Sequence, residues 1–458
     1  MQFNWQQLIE ITGGSAASQD GPTIAAISTD TRTLQQGDLY LALRGDRFDG
    51  HDFIDAAIES GASALCVESS VSATIPTLIV PDTLAAYQQI ATSLRLQFDD
   101  LQVVAVTGSS GKTSTKEMIA SVLRARYPDA VFGTQGNTNN HIGVPQNLLR
   151  LCSQHKAAVL ELGTSGPGEI SNLTALVQPD IAVLTNVGPV HLEGLGSIEG
   201  VACEKACIFS TLAATGHAVL PASLRHDPNI APALPSDRTV TIGAVDSGAD
   251  IEAEQVRGDL RSSQIRIHRT GKEALTFTWQ LTGLHQALNA AVAFAVAGIL
   301  KIDDETIVAG LKACTLPGMR MQTFEHESVT WINDAYNANP DSMRCLVDWL
   351  ATIDPGADNT VHLVLGDMLE LGENSLQLHT EFLRHTRRAL PRANLVPFGD
   401  EMSAAATALG ISAHTDINAL RENLDTAIKA GDIVAVKASR GIALERVLPE
   451  GENGGMKE

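Results

Sequence analysis

The chain has 458 residues, enough for about three domains at roughly 150 residues each and for several separate cores. Its 32 Lys and Arg against 53 Asp and Glu leave a formal charge of -21, which excludes the basic field that sequence-independent attachment to nucleic acid or to an anionic membrane needs. With 44% hydrophobic and 19% charged residues the composition is that of a soluble globular protein, and with 4% aromatics the cores must be filled by Ala, Leu, Ile and Val.

Residues 1–14 alternate polar and apolar positions, with no basic segment leading into an apolar one, so no secretory signal is expected. Strand-like runs at 39–43, 64–67 and 77–80, with a helical pattern over 52–60, predict a small α/β unit. Four apolar runs at 103–106, 157–162, 181–185 and 218–220 read as buried parallel strands with helical stretches between most of them. The more polar section 250–281 alternates like strand at 264–268 and 275–279 and gives way to an Ala-rich helix over 286–300. Its most apolar part, 290–300, is too short to span a bilayer.

After Leu316-Pro317-Gly318 the pattern restarts, with strands predicted at 329–333, 361–365, 395–398 and 433–436. Asn339-Pro340 supplies an N-cap and a first helical position for a stretch ending near Ile353. The expected organisation is three α/β domains, 1–100, 101–316 and 317–458, with linkers near Asp99 and Pro317 and a frayed Gly-rich tail after Leu448. Cys66, Cys152, Cys203, Cys207, Cys314 and Cys345 make no disulfide framework and read as free thiols of a reducing cytoplasm. Cys203 and Cys207 share a helical face but have no second Cys or His pair, so a zinc site is not expected.

The predicted strand 103–106 runs into Thr107-Gly108-Ser109-Ser110-Gly111-Lys112-Thr113-Ser114, and a helical pattern follows over 115–126. A strand, a glycine turn and a helix start are what a phosphate-cradling loop requires. Glycines let backbone N–H groups converge, Lys112 brings charge to the β and γ groups, and the Thr113 hydroxyl suits Mg²⁺. Val106 stands where the strict pattern has glycine, so this is a shortened variant; the alternative is a glycine turn that merely starts a helix. Glu161 ends the next strand, at the sheet edge where ligand crevices lie, and is a candidate Mg²⁺ ligand or else a solvated strand-end acid. His191 follows a third strand at the same edge and is otherwise a structural histidine. Lys205 lies in a helical stretch over 199–209, where a solvated lysine is the plain alternative. Arg320 and Asp334 flank the second linker, where an interdomain cleft would expose them to a γ-phosphate and a ribose or metal water, or where they would form a hinge salt bridge.

The loop at 107–113, Gly136-Asn137-Thr138-Asn139-Asn140-His141-Ile142-Gly143-Val144-Pro145 and Glu161-Leu162-Gly163 together resemble the Mur ligases of peptidoglycan synthesis. Within that family the MurF type is nearest. Ser28-Thr29-Asp30-Thr31-Arg32, Gly37-Asp38-Leu39-Tyr40 and Asp49-Gly50-His51 resemble the uridine-nucleotide domain that this type shares with the MurE type. Asp334-Ala335-Tyr336-Asn337-Ala338-Asn339-Pro340 and Leu365-Gly366-Asp367-Met368-Leu369-Glu370-Leu371-Gly372 resemble its carboxy-terminal domain, and the Asp-Asn-Pro-Arg signature of many MurE-type enzymes is absent.

The resemblance implies a small α/β N-terminal domain, a central parallel-sheet P-loop ATPase domain and a Rossmann-like C-terminal domain, binding uridine nucleotide, ATP and incoming dipeptide in turn. It implies a cytoplasmic, monomeric ligase joining D-Ala-D-Ala to UDP-N-acetylmuramoyl-tripeptide through an acyl phosphate, with ATP and two Mg²⁺ sites and with neither nucleic acid nor membrane as partner. Lys112, Arg320 and Mg²⁺ held by Thr113 and Glu161 would neutralise charge. A second Mg²⁺ would be associated with His191 and an N6-carboxylated Lys205, although Cys207 stands where a common pattern has an acid. Leu284-His285-Gln286-Ala287-Leu288-Asn289 resembles an adenine-contacting segment, with Asn289 the transferable residue. Asp334 joins the nucleotide-binding set, Thr31 and Arg32 the uridine side, and Asn137, Asn139 and Asn140 the tripeptide side, where an Asn-rich turn is the alternative. Lys437-Ala438-Ser439-Arg440 resembles a Lys-Gly-Ser-Arg segment, with Ala438 making a tight backbone approach doubtful. The rivals are a MurE-type ligase adding one diamino acid, a folylpolyglutamate synthetase-like ligase, and a non-catalytic nucleotide-binding regulator.

Overall fold

The computed structural model describes residues 3–45 and 48–449, so Met1, Gln2, Asp46, Arg47 and the tail from residue 450 lie outside the described residues. Three sheets succeed one another along the chain. The first runs in the order Ser15–Ala16, Thr77–Ile79, Ala64–Val67, Leu39–Leu41, Ile27–Ser28, with only its first pairing antiparallel. The expected helix over 52–60 is split into a 3-10 turn, Gly50–Phe53, and the helix Ile54–Glu59, because the Asp49 side chain caps the turn at His51.

The central sheet has nine strands in the order Leu275–Trp279, Ser263–Arg269, Ile251–Gly258, Thr239–Ala244, His217–Pro221, Ile181–Leu184, Gln102–Thr107, Ala157–Glu161, Val131–Gly133. The two outermost pairings on the Leu275–Trp279 side are antiparallel, and the rest are parallel. Both faces of its middle strands are covered, which is why their sequences are continuously apolar rather than alternating. Val104 and Val106 pack with Met118, Ile119 and Val122 of the helix Lys112–Arg126 and with the helix Leu284–Ile299. Val103 and Ala105 face Leu148, Ile170, Leu173, Ile208 and Phe209 on the other side. Strands Thr239–Ala244 and Ile251–Gly258 were not expected as sheet members: their burial is partial, and the outer half of the second is exposed, so no apolar run marks them.

The third sheet runs Gln322–His326, Val329–Asn333, Ile433–Lys437, Val361–Gly366, Asn394–Phe398, parallel except for the first pair. Its unpredicted edge strand, Gln322–His326, has no fully buried residue to signal it. Asn339 caps the helix Pro340–Leu350 through Ser342 N, with Pro340 in the first turn as expected, and the helix stops at Leu350 rather than near Ile353.

Cross-links hold the first two sheets together. Arg95, buried at the end of the helix Thr83–Arg95, donates to the carbonyls of Val177 (3.1 Å) and Gln178 (3.1 Å) in the central unit. All six cysteines are free. Among the described residues no helix is long and apolar enough to cross a membrane.

Candidate active site

The phosphate loop leaves the central strand Gln102–Thr107 and enters its helix at Lys112, three residues earlier than the helical pattern suggested. Thr107 anchors it, its hydroxyl donating to Leu162 O at 2.8 Å. Gly108 has φ +154, and a Cβ there would sit 1.8 Å from Thr185 Oγ1, so only glycine fits. Gly111 turns the chain into the helix at φ +74. The loop rests on residues 185–188, just beyond the neighbouring strand. Ser109 N donates to Asn186 O (3.1 Å), Ser110 N to Asn186 Oδ1 (2.8 Å), and the Ser109 hydroxyl bridges Gly188 N and Gly188 O. With those N–H groups engaged, the start of the helix at Lys112 supplies the further backbone donors that a helix N-terminus leaves without intrahelical partners. The Lys112 ammonium folds back onto Gly108 O at 2.8 Å. Burial pushes its pKa below the ordinary lysine value, opposed by Glu161 and reinforced by Arg320.

A cavity of about 730 Å³ opens over this loop and is lined by the central unit and the start of the C-terminal unit together. Glu161, 3% exposed at the end of its strand, is held at both oxygens: Thr113 Oγ1 donates to Oε2 (2.8 Å) and Asn139 Nδ2 to Oε1 (2.9 Å). A carboxylate beside a threonine hydroxyl is a hard oxygen donor pair of the kind Mg²⁺ takes alongside phosphates and water. Asn139 reaches it because the loop 137–141 lies against Gly163, where a Cβ would approach Asn139 to 2.9 Å. Asn137 Oδ1 accepts from Asn139 Nδ2 (3.3 Å), while Asn140 Oδ1 accepts from Gly143 N (2.9 Å) and Ile142 N, so Asn140 closes a turn as well as lining the cavity.

His191 lines the cavity in a left-handed conformation at φ +50, and its Nδ1 is hydrogen-bonded to Glu370 of the C-terminal unit, leaving Nε2 free of that contact. Lys205 is 1% exposed, on the helix Ile198–Ala206. Burial, then the nearby charge of Lys112, push its ammonium well below the ordinary lysine range, and Glu204 opposes them only in part. Glu204 itself accepts from Gly168 N (2.6 Å) and Ile170 N (2.7 Å) and so caps the helix Glu169–Val177. Cys207 donates its thiol to Cys203 O (3.4 Å) and brings no carboxylate to the site. Among the described residues no three His, Cys, Asp or Glu side chains converge as a ready-made metal cluster. The residues therefore fit one Mg²⁺ completed by substrate oxygens. Lys205 is not among the residues lining this cavity, so a second ion near His191 would need the side chain to be both carboxylated and turned toward the cavity.

From the C-terminal unit Arg320 stacks over the Tyr336 ring, 3.9 Å from its centroid, and lines the cavity with Asp334. Arg320 forms no salt bridge among the described residues, whereas Asp334 accepts from Lys437 Nζ (2.6 Å) and Met321 N (3.1 Å). Lys437 also donates to Asn337 O (2.9 Å), tying the segment after Val329–Asn333 to the strand Ile433–Lys437. The close approach doubted at Ala438 is made from the opposite strand, where a Cβ on Gly366 would lie 2.6 Å from that of Ala438. His285 faces the same group; burial lowers its pKa to about 4 against the pull of Asp334, so it is a neutral imidazole at pH 7. Asn289 has both ends engaged, Oδ1 by Thr115 (3.1 Å) and Nδ2 with Gln286 (3.1 Å), and lies beside Gly111.

Thr31 and Arg32 are not brought to this cavity. They belong to the first unit, where Arg32 is exposed and forms a 2.7 Å ion pair with Asp30. Asn186, Asn339 and Glu370 went unmarked by sequence reasoning as site residues. Asn339 Nδ2 donates to Ser109 O (3.2 Å) from the helix of another domain, and only the capping pattern Asn339-Pro340 gave it any signal.

Residues 23–104 match the model of the Mur ligase family catalytic domain, 106–297 that of the Mur ligase middle domain, and 319–440 that of the Mur ligase glutamate ligase domain. The UDP-N-acetylmuramoyl-tripeptide--D-alanyl-D-alanine ligase of Escherichia coli K12 is 35% identical over 446 residues, covering 96% of both chains. That of Bacillus subtilis is 34% identical over 458 residues, covering 97% of both. Among solved structures, MurF from Acinetobacter baumannii superposes with a TM-score of 0.90 at 32% identity over 98% of each chain. MurF from Thermotoga maritima in complex with ADP gives 0.81 at 29% identity, covering 92% of this chain and 96% of that one. With three family domains matched in order and relatives aligned over nearly its whole length, this chain belongs to the Mur ligase family.

Proposed function

We propose that the chain joins D-alanyl-D-alanine to UDP-N-acetylmuramoyl-tripeptide at the expense of ATP. The observation that carries this reading is the cavity in which Lys112, Glu161 and His191 of the central unit meet Arg320, Asp334 and Lys437 of the C-terminal one. Relatives named for that reaction align over nearly the whole chain, which supports the choice of tripeptide and dipeptide. On this reading residues 1–100 hold the uridine nucleotide, with Thr31 and Arg32 on that side, 101–316 hold ATP and 317–458 the incoming dipeptide. ATP and a UDP-linked substrate support a cytoplasmic reaction.

In the first step an oxygen of the tripeptide carboxylate attacks the γ-phosphorus, the bond from γ-phosphorus to the β-bridging oxygen breaks, and ADP leaves. Two anions must meet, so the residues' main work is to offset charge. Lys112 exchanges Gly108 O for phosphate oxygens, the first-turn N–H groups receive the β-phosphate, and Arg320 reaches the transferring group while the Tyr336 ring steadies its guanidinium. Asn289, beside Gly111, has one amide hydrogen left for the adenine, and Asp334 lies on the ribose side. Asn139 holds the Glu161 carboxylate in place. In the second step the neutral amine of D-Ala-D-Ala attacks the acyl carbon, the bond from that carbon to the former carboxylate oxygen breaks, and phosphate departs with that oxygen and takes up the proton the amine gives up.

Glu161 and Thr113 would hold Mg²⁺, which supplies positive charge to the β- and γ-oxygens when bound. Lys205 suits carboxylation because burial favours its neutral amine, the form that adds CO₂ to give a carbamate and a proton. The resulting anion and His191, which is oriented through Glu370, would be the residues to hold a second Mg²⁺, which would add positive charge near the transferring phosphoryl group. Tripeptide labelled with ¹⁸O in its terminal carboxylate tests the chemistry: one ¹⁸O should appear in the released phosphate. Phosphate free of label would contradict an acyl-phosphate route.

A further inference from the structure

A second cavity, of about 390 Å³, shares no lining residue with the phosphate-loop cavity and lies between the helices Pro340–Leu350 and Ser375–Ala389. Its walls are Arg344, Glu381, Arg384, His385 and Arg388. None of the three guanidinium groups has a carboxylate oxygen within 4.0 Å among the described residues. The one carboxylate in the wall, Glu381, accepts from Gln377 Nε2 at 2.9 Å, and His385 is occupied with Asp348 at 2.6 Å. Arg344 Nε is buried and has no hydrogen-bond partner.

In a chain of net charge -21, three arginines without a carboxylate partner around one hollow leave local positive charge open to an external anion. Arg388 lies in the last turn of its helix, where the dipole favours a cation, so the cluster tolerates the empty state. Guanidinium groups pair with phosphate oxygens in bidentate fashion, and three of them converging from two helices suit more than one phosphate group. We propose that this cavity binds a small multivalent phosphate anion, at a site separate from the nucleotide loop.

Inorganic pyrophosphate is the probe, titrated calorimetrically into Lys112→Ala protein so that binding at the phosphate loop is suppressed. One pyrophosphate per chain should bind, more tightly than inorganic phosphate, and R384A/R388A in the same background should weaken it at least tenfold. Both substituted side chains are exposed, so the melting temperature should hold. Pyrophosphate binding that is absent, or that survives R384A/R388A unchanged, would overturn the site. Equal affinity for phosphate and pyrophosphate would overturn its preference for a multivalent ion.

Discussion

A lysine amine buried to 1% exposure beside a second ammonium, as Lys205 is, is costly to keep protonated. Its folded pKa lies below the unfolded value of 10.5, so over the interval between them the unfolded chain holds a proton that the folded one has released. Stability in bicarbonate-free buffer should therefore rise with pH toward 10.5 and level off above it. Lys205→Met should be more stable than the parent at neutral pH and should lose that rise, as read by denaturant unfolding across a pH series. In turnover the same position should behave oppositely: Lys205→Ala should lose activity by roughly 100-fold or more and recover partly with bicarbonate or short carboxylates. Full activity in that variant would remove the carbamate role. At this scale the sequence was readable wherever covalent spacing sets the geometry, as in Gly108, Gly111, Lys112 and Thr113. It was silent on Asn186 and Asn339, which meet the loop from 76 and 230 residues away.

The helix Pro340–Leu350 links local capping to the site. Asn339 Oδ1 accepts from Ser342 N at 2.9 Å while its Nδ2 donates to Ser109 O of the phosphate loop. Asn339→Ala should cost about 1 kcal/mol in denaturant unfolding of the C-terminal unit and should raise the KM for ATP. Asn339→Ser keeps a capping oxygen but lacks the reach, so it should restore stability while leaving that KM raised. Recovery of both together would show that Asn339 acts through the cap alone. Strands buried on both faces were legible from their apolar runs, and the strand Leu275–Trp279 was legible from its alternation, whereas Thr239–Ala244 and Gln322–His326 were not. The former is only partly buried and the latter is a solvated edge, so neither needs a sequence that declares itself.

At the scale of the whole molecule, the C-terminal unit sits directly against the central one. Asp341 approaches the segment after Ile181–Leu184 so nearly that a Cβ on Gly188 would lie 1.7 Å from its Oδ2, and His191 meets Glu370 across the same gap. Gly188→Leu, whose side chain is too large to be accommodated by a turn of the Asp341 carboxylate alone, should hold the C-terminal unit away from the phosphate loop. Its radius of gyration in solution scattering should exceed the parent's in the presence of nucleotide, and its turnover should fall; an unchanged radius would place this contact outside the closing motion. Three domains were expected from length alone, and the acidity of the chain now has a sharper meaning. At a net charge of -21 its field repels its phosphate-bearing substrates, so Lys112, Arg320, Lys437 and helix N–H groups must supply the local attraction. The measurement that bears most directly on the proposed activity is phosphate release from ATP with UDP-N-acetylmuramoyl-tripeptide, offering D-alanyl-D-alanine, meso-diaminopimelate or lysine in turn. The dipeptide alone should support turnover; release with a single amino acid and none with the dipeptide would contradict the account.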